Sequence, residues 1–299
     1  MLTGALLLSN GRPWLRAADD PYAFIPEPAD TVQIACVGNS DLYSGFVPPV
    51  LWGNQGYSAT VYASARQSLT KSYALLERVF ITQSPALVVL ETDMLYDHNP
   101  KDCEKPQVLD RQAEAAHLRQ DVHNLASVFL PYGTQIAPND FPSIRLAHGY
   151  RYSSKVTRLA LPDYMADTAE REPVSAENRK AADKILQLCR ENGAQLLLVQ
   201  FPTVTSWTMA RHRGVAEYAA ARGLEFLDLN LLYDQMGLDG AVAFRDAGNH
   251  LNVTGATAVT VYLGQYIARQ YRLPNLLGDP RCAHRQTEWE CYRQFASKP

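Results

Sequence analysis

Five short apolar runs constrain the fold of this chain more than any other feature. Each run is continuous and rich in branched residues, as is typical of strands that are buried on both faces. Segments with helical spacing lie between them, so the runs predict a parallel sheet. They occupy residues 32–37, 59–62, 86–91, 195–200 and 224–229.

Helical patterns are present at 68–82, 175–192, 206–222 and 254–271. Ser175 is suited to cap the second of these and Gly193 to stop it. The alternation predicts an α/β fold, a flavodoxin-like doubly wound parallel five-stranded sheet. Residues 97–169 break this alternation and are longer than a simple crossover needs, so we predict a helical insertion there.

Ser40 follows the first predicted strand, within the motif GNSD at 38–41, while Asp246 and His250 lie near the other end of the chain. Ligands of open α/β sheets gather at the carboxyl ends of the strands, where Ser40 is expected to lie. A serine hydroxyl becomes nucleophilic when an imidazole takes its proton and a carboxylate orients that imidazole. A single serine after a strand is more often a cap or turn residue. The presence of Asp246 and His250 near the other end of the chain favours a catalytic role for Ser40.

These two blocks resemble those of the SGNH/GDSL hydrolase superfamily. Gly38, Asn39 and Ser40 match its first block, and Asp246 with His250 matches its last. The flanking sequences GNSDLYSGF and HLNVTGA are similar to the bacterial cell-surface branch, which includes proteins of teichoic-acid D-alanylation and exopolysaccharide O-acetylation. The resemblance implies that Ser40 is the nucleophile, His250 the base and Asp246 its orienting acid.

The chain departs from the family pattern at two positions. Asn39 stands where the family has Asp, and the D-x-x-x-H spacing from Asp246 to His250 is one residue longer than usual. If the longer loop is irregular, His250 is oriented instead by a backbone carbonyl or by another acid such as Asp239.

The residues that stabilise the oxyanion are less clear from the sequence. Backbone N–H groups at Ser40 and Asp41 are suited to the developing negative charge. The family's G-x-N-D block has no counterpart, and residues 91–96 occupy its place. The second block of the cell-surface branch implies Ser64 and Gln67 near the oxyanion, and the alternative is that both cap a helix.

Composition indicates a single enzyme-sized domain with a weak net charge. The chain has 299 residues, 46% of them hydrophobic, and a net charge of −3. That charge predicts no nucleic-acid partner. No cofactor is predicted, and no metal site either, because the histidines of 97–169 are scattered and no C-x-x-C or H-x-x-x-H pair occurs.

The five cysteines divide into three groups. Cys36 and Cys189 are predicted to be buried as small apolar residues, and Cys103 to be a loop thiol. Cys282 and Cys291 are close together in a polar tail, and we predict a disulfide between them. Such a bond would indicate an exported domain.

The domain boundaries follow from these patterns. We expect an N-terminal arm at 1–30, the α/β domain at 31–272 with its insertion at about 97–169, and a C-terminal tail at 273–299. The apolar start of the arm is either the remnant of a membrane anchor or a segment that packs on the domain. The expected location is extracytoplasmic, with the protein anchored or secreted.

Aromatic residues in and near the insertion have two interpretations. They could stack on sugar rings, or they could fill the core, and for any one of them the core is favoured. The set consists of Tyr43, Trp52, Tyr132, Tyr150, Tyr152, Tyr164 and Trp207.

Together these features predict a serine esterase or O-acyltransferase. The resemblance implies that it acts on acyl groups, acetyl above all, of a cell-surface glycan or related polymer, and that its partners are the acylated polymer and a membrane-bound acyltransferase that supplies the acyl group. Two alternatives stay open. One is a non-catalytic glycan-binding or scaffold protein with the same fold, and the other is a small-ester hydrolase.

Overall fold

The computed structural model describes residues 27–96, 144–145 and 147–296. Five parallel strands form the main sheet in the order β2-β1-β3-β6-β7, and β4 and β5 form a separate antiparallel pair. The predicted doubly wound α/β sheet is therefore confirmed. The strands are β1 Ile34–Gly38, β2 Ala59–Ala63, β3 Leu87–Glu91, β4 Ile144–Arg145, β5 Arg151–Tyr152, β6 Gln195–Gln200 and β7 Glu225–Asp228.

Helices cover both faces of the sheet. Alternate residues of β1 divide between two cores: Ile34 and Cys36 face one, and Ala35 and Val37 face the other. This division explains why the strand sequences are apolar without alternation. The helices are α1 Ser40–Gly45, α2 Pro48–Gln55, α3 Leu69–Thr82, α4 Ala176–Glu191, α5 Met209–Ala220, α6 Tyr233–Met236, α7 Val253–Gln270 and α8 Ala283–Ala296.

Local signals place the helix ends where the sequence predicts them. Ser175 Oγ accepts the N–H of Asn178 at the start of α4, and Gly193 follows the helix with a left-handed φ of 72°. Ser68 caps α3 in the same way through the N–H of Lys71.

The strand order places the topological switch between β1 and β3. The chain leaves β1 in one direction, to β2, and then returns past it to β3. The crevice beyond the carboxyl ends of these two strands is where doubly wound proteins bind ligands. Ser40, Thr92 and Asp93 follow these two strand ends.

The polar C-terminal tail is a helix that packs on the domain. Trp289 of α8 lies against Gly53 of α2, and Tyr292 is buried in the core. The predicted Cys282–Cys291 disulfide is wrong, since the Cys282 thiol is unbonded and buried. Cys282 directly precedes α8, and nine residues of helix rise by about 13 Å, whereas bonded cysteines need α-carbons within about 7 Å. Cys36 and Cys189 are buried as predicted.

Several predictions fall on residues outside the described part. These are most of the N-terminal arm, residues 97–143 of the predicted helical insertion, Cys103 and Tyr132. Within residues 147–169 the chain forms one 3-10 turn, strand β5, a turn at 164–165 and otherwise irregular structure, without an α-helix. In the described residues, no helix combines the length and apolar character needed to cross a membrane.

Candidate active site

Gly38 and Asn39 shape the backbone on which Ser40 lies. A Cβ at Gly38 would come within 2.6 Å of the Glu91 Cβ, so glycine lets the end of β1 pass close to β3. Asn39 is the N-cap of α1, and its Oδ1 accepts the Asp41 N–H at 2.9 Å. Ser40 is the first residue of this helix and is half-buried. The serine is thereby held at the strand end, partly open to solvent.

Asp246 and His250 contact each other within a tight loop. An antiparallel bridge between Phe244 and Leu251 closes the loop, and Gly248 takes a left-handed φ of 90°. Asp246 Oδ2 lies 2.7 Å from His250 Nδ1. The extra residue of D-x-x-x-H is accommodated by the turn, and the acid still reaches the imidazole.

The other oxygen of Asp246 stabilises the loop itself. Oδ1 accepts the backbone N–H groups of Asn249 and of His250, both at 2.8 Å. Burial alone would raise the pKa of Asp246, but the hydrogen bonds from the imidazole and from these backbone groups lower it below its usual range. The carboxylate form is therefore favoured, and it holds the Nδ1–H tautomer of His250, which leaves the lone pair on Nε2. Asn249 Nδ2 lies 3.4 Å from that nitrogen.

Asp239, the other acid considered for His250, caps its own turn. Its Oδ1 accepts the N–H of Ala241 at 2.8 Å. Of the two acids, Asp246 is the one that contacts His250 in this structure.

The His250 loop lies at the same edge of the sheet as Ser40. The Val204 N–H, just beyond β6, donates to the Gly248 carbonyl at 2.7 Å, and Thr205 Oγ1 donates to Asn249 Oδ1 at 2.7 Å. On the other side, the Asp246 charge helps to raise the pKa of Asp41, the residue after Ser40.

No hydrogen bond between Ser40 and His250 occurs within the described part of the chain. Proton transfer between them therefore needs the two side chains to approach each other or a bridging water, and catalytic hydrogen bonds often tighten only when substrate binds.

Three carboxyl groups surround Asn39. Its Nδ2 donates to Asp93 Oδ2 at 3.3 Å, while Glu91 Oε1 accepts the Asp93 N–H at 2.6 Å and Glu91 Oε2 the Asn39 N–H at 3.4 Å. Burial raises the pKa of Glu91 well above its usual range, and the charges of Asp93 and Asp41 raise it further. Burial, then Asp93 and Asp246, likewise raise the pKa of Asp41.

This environment gives a physical reason for an asparagine, and not an aspartate, at position 39. An asparagine caps α1 as well as an aspartate does. Its amide also donates to Asp93, which an ionised aspartate cannot do. Asn39 therefore avoids a fourth carboxylate among three that already repel one another.

The residues predicted near the oxyanion are all at this edge, and each has a partner. The Asp41 N–H is engaged by Asn39. The Gln67 amide donates to the Tyr62 carbonyl at 2.8 Å and to Ser72 Oγ at 3.0 Å. Ser64 Oγ donates to Gln67 Oε1 at 3.1 Å. The N-cap of α3 is Ser68, so neither Ser64 nor Gln67 caps that helix, and their predicted role at the oxyanion stays a prediction.

Most of the aromatic residues considered for sugar stacking are buried instead. Tyr43, Trp52, Tyr150, Tyr152 and Trp207 are all at most 4% exposed. Tyr164 is part-buried and donates to Asn230 Oδ1 at 2.8 Å. These six fill or line the protein interior, as the core interpretation predicts.

Arg245 is a site residue that the sequence analysis missed, although it directly precedes Asp246. Its Nε lies 4.0 Å from Asp246 Oδ2, and its side chain is 13% exposed. One guanidinium nitrogen is buried without an acceptor among the described residues. Burial lowers the pKa of Arg245, and the charge of Arg151 lowers it further. Arg245 thus places positive charge beside Asp246.

Comparisons with known proteins give distant structural matches. No family model and no curated protein matches the chain. A GDSL-like lipase from Bacteroides thetaiotaomicron is similar at 13% identity and a TM-score of 0.37, over 79% of this chain and 87% of that one. TesA is similar at 13% identity and a TM-score of 0.41, over 79% of this chain and 98% of that one. At these identities and scores, the activities of the neighbours do not transfer to this chain.

Proposed function

We propose that this protein is a serine ester hydrolase or O-acyltransferase of the SGNH type, with Ser40 as nucleophile, His250 as base and Asp246 as orienting acid. The observation that carries the proposal is the 2.7 Å contact between Asp246 Oδ2 and His250 Nδ1. It lies at the sheet edge where Ser40 follows β1, and the lowered pKa of Asp246 favours its carboxylate form.

The chemistry follows from this arrangement. Ser40 Oγ bonds to the acyl carbon while its proton passes to His250 Nε2, and the carbonyl π electrons move to the oxygen. The Ser40 backbone N–H is the donor suited to that oxyanion. When the tetrahedral intermediate collapses, the sugar oxygen leaves with the proton from Nε2, and the acyl group stays on Ser40.

The second half of the reaction reverses these steps with a new hydroxyl. His250 Nε2 takes a proton from water or from a sugar hydroxyl, whose oxygen then bonds to the acyl carbon. The bond between the acyl carbon and Ser40 Oγ breaks, and Oγ regains a proton from Nε2. Water gives hydrolysis and a sugar gives transfer. The likeness to the cell-surface branch supports an acetylated glycan as substrate, a membrane-bound acyltransferase as donor partner and an extracytoplasmic location.

Covalent labelling tests the proposal. A fluorophosphonate probe should label the wild type, and neither Ser40→Ala nor His250→Ala should be labelled at a comparable rate. Ser44→Ala is a matched control, because Ser44 is a buried serine on the same short helix. Labelling that persists in Ser40→Ala, or that is lost in Ser44→Ala while the fold is intact, contradicts the assignment.

Product analysis separates hydrolysis from transfer. Acetylated polysaccharide is incubated with enzyme in the presence and absence of a free sugar acceptor. Acetate release alone identifies a hydrolase, and acetylated acceptor identifies a transferase.

A non-catalytic glycan-binding protein is the second candidate. Two features favour it: Ser40 and His250 share no direct hydrogen bond in the described structure, and the Asp41 N–H is engaged by Asn39. Wild-type protein that binds acetylated glycan but is not labelled by the probe would support this candidate.

A further inference from the structure

A second group of titratable residues lies at the outer edge of the sheet, at β2. We call it the β2-edge cluster, and it consists of Glu27, His148, His284, Arg285 and Glu288. Side-chain exposure is 8% or less for all except His284, which is 16% exposed. The cluster joins three separate segments: the chain before β1, the turn Ala147–Gly149 and helix α8. The proposed hydrolase chemistry uses none of these residues.

His148 faces a carboxylate with each of its ring nitrogens. Nδ1 lies 2.8 Å from Glu27 Oε1, and Nε2 lies 2.7 Å from Glu288 Oε2. A neutral imidazole has one N–H and one lone pair, and an ionised carboxylate only accepts. One of the two contacts therefore requires a proton between the nitrogen and the oxygen, or a metal ion that replaces the proton once the two atoms move apart to the spacing of metal ligands.

Glu27 is suited to hold the N–H side of the imidazole. Its carboxylate also accepts from Arg285, at 2.8 Å to Oε1 and 2.6 Å to Oε2. A carboxylate that accepts Nδ1–H of a histidine is the usual outer partner of a metal-bound imidazole, because it fixes the tautomer that leaves Nε2 free.

His284 brings a third donor to the same place. It lies four residues before Glu288 on α8, so both side chains project from one face of the helix. Donor atoms of His148, His284 and Glu288 all lie within 4.8 Å of one another. Ligand atoms around a tetrahedral zinc ion are about 3.4 Å apart, for bonds of about 2.1 Å. Small side-chain rotations are therefore enough to close the site.

The charges and the backbone are consistent with a metal at this position. Arg285 neutralises Glu27, which leaves the single negative charge of Glu288 for the ion, as in two-histidine, one-glutamate zinc sites. His148 has a φ of 55°, a left-handed conformation that is uncommon for residues other than glycine and that clusters at functional positions.

We propose that His148, His284 and Glu288 bind a divalent transition-metal ion of the Zn²⁺ class, with Glu27 as the outer partner of His148. A water completes the coordination. The ion ties the turn before β5 to α8, which the sequence analysis treated as a tail. The sequence predicted no metal because the two histidines are 136 residues apart and the helical pair is H-x-x-x-E, not H-x-x-x-H.

Calorimetric titration of the untagged, EDTA-treated full chain tests the site. With ZnSO₄, we expect one equivalent to bind and the melting temperature to rise. MgCl₂ and CaCl₂ should not compete, because these ions prefer oxygen ligands. Co²⁺ should give the visible absorption of tetrahedral coordination. These readouts are independent of esterase activity, so they also stand if the proposed function fails.

Two variants localise the binding. His284→Ala and Glu288→Gln should each weaken Zn²⁺ binding by at least about tenfold. His212→Ala is the matched control, since His212 is also a part-buried histidine paired with a carboxylate, Asp228, at 2.8 Å. It should bind Zn²⁺ like the wild type.

Three results overturn the proposal. They are the absence of Zn²⁺ binding to the wild type, wild-type affinity in both His284→Ala and Glu288→Gln, and equal loss in His212→Ala. In the first case, the cation between His148 and Glu288 is a proton, and the cluster is an ion-pair network.

Discussion

Replacing Asp246 by Asn separates the two tasks of this side chain. In the wild type, Oδ1 accepts two backbone N–H groups, at 2.8 Å each, and Oδ2 faces His250 Nδ1 at 2.7 Å. The Asn carbonyl can keep both backbone bonds, so the loop should persist. Its NH₂ group then faces Nδ1 as a donor and forces the proton of the imidazole onto Nε2, where it blocks the base.

For Asp246→Asn we expect a large loss of catalytic rate and a smaller loss of folding stability. The corresponding change in a serine-protease triad lowers kcat by about 10⁴, equivalent to about 5 kcal/mol of transition-state stabilisation. The lost charge-assisted hydrogen bond is worth only about 1.5–3 kcal/mol of folding free energy. Turnover of p-nitrophenyl acetate and the rate of fluorophosphonate labelling measure the first, and thermal denaturation measures the second.

Asp239→Asn is the matched control for this prediction. Asp239 also accepts a backbone N–H, at 2.8 Å from Ala241, but within the described residues it forms no hydrogen bond with His250. It should keep wild-type kcat. Activity of Asp246→Asn within about tenfold of the wild type, or an equal loss in Asp239→Asn, would refute the assignment of Asp246 as the orienting acid.

Three further predictions concern the surroundings of the site and the packing of α8. Asn39→Asp should lower the free energy of unfolding by about 1–3 kcal/mol at pH 8, because the hydrogen bond that Asn39 Nδ2 donates to Asp93 at 3.3 Å is replaced by repulsion between two carboxylates. The loss should be smaller at pH 5, and thermal denaturation at the two pH values measures the difference. Because the pKa of Glu91 is raised in the folded protein, wild-type stability should fall as pH rises from the ordinary carboxyl range through the raised value. Glu91→Gln should flatten this dependence in denaturant titrations at several pH values, and an unchanged slope would contradict a raised pKa of Glu91 in the folded protein. Gly53→Ala should destabilise the protein by about 1–3 kcal/mol, since the new Cβ would lie 2.2 Å from Trp289. Helix propensity alone predicts the opposite, a gain in stability of about 1 kcal/mol. The sign of the measured change therefore tests whether α8 packs on α2.

Most of the strands and helices could be predicted from local sequence patterns. The apolar runs of the five strands record burial on both faces, and burial of a strand is a property of consecutive residues. Ser175 and Gly193 mark the ends of α4 because caps act within one turn of the chain. Asp246 and His250 are close in the sequence, so their contact was accessible as well. Ser40 could be placed near them because parallel strands end at a common edge.

Tertiary structure decided what depends on residues far apart in the chain. The choice of Asp246 over Asp239 as the acid that contacts His250 required the closed loop from Phe244 to Leu251. The role of Asn39 depends on Asp93, which follows a different strand and accepts a hydrogen bond from Asn39 Nδ2.

The C-terminal segment shows the same limit most clearly. Its polar composition suggested a tail with a disulfide, whereas Trp289 and Tyr292 pack it on the domain as a helix. His148 and His284 meet because that helix and the turn before β5 both lie on the edge of β2. Periodicity records which face of a segment is buried, and it carries no information on which distant segment covers that face, because packing between elements is set by the whole fold.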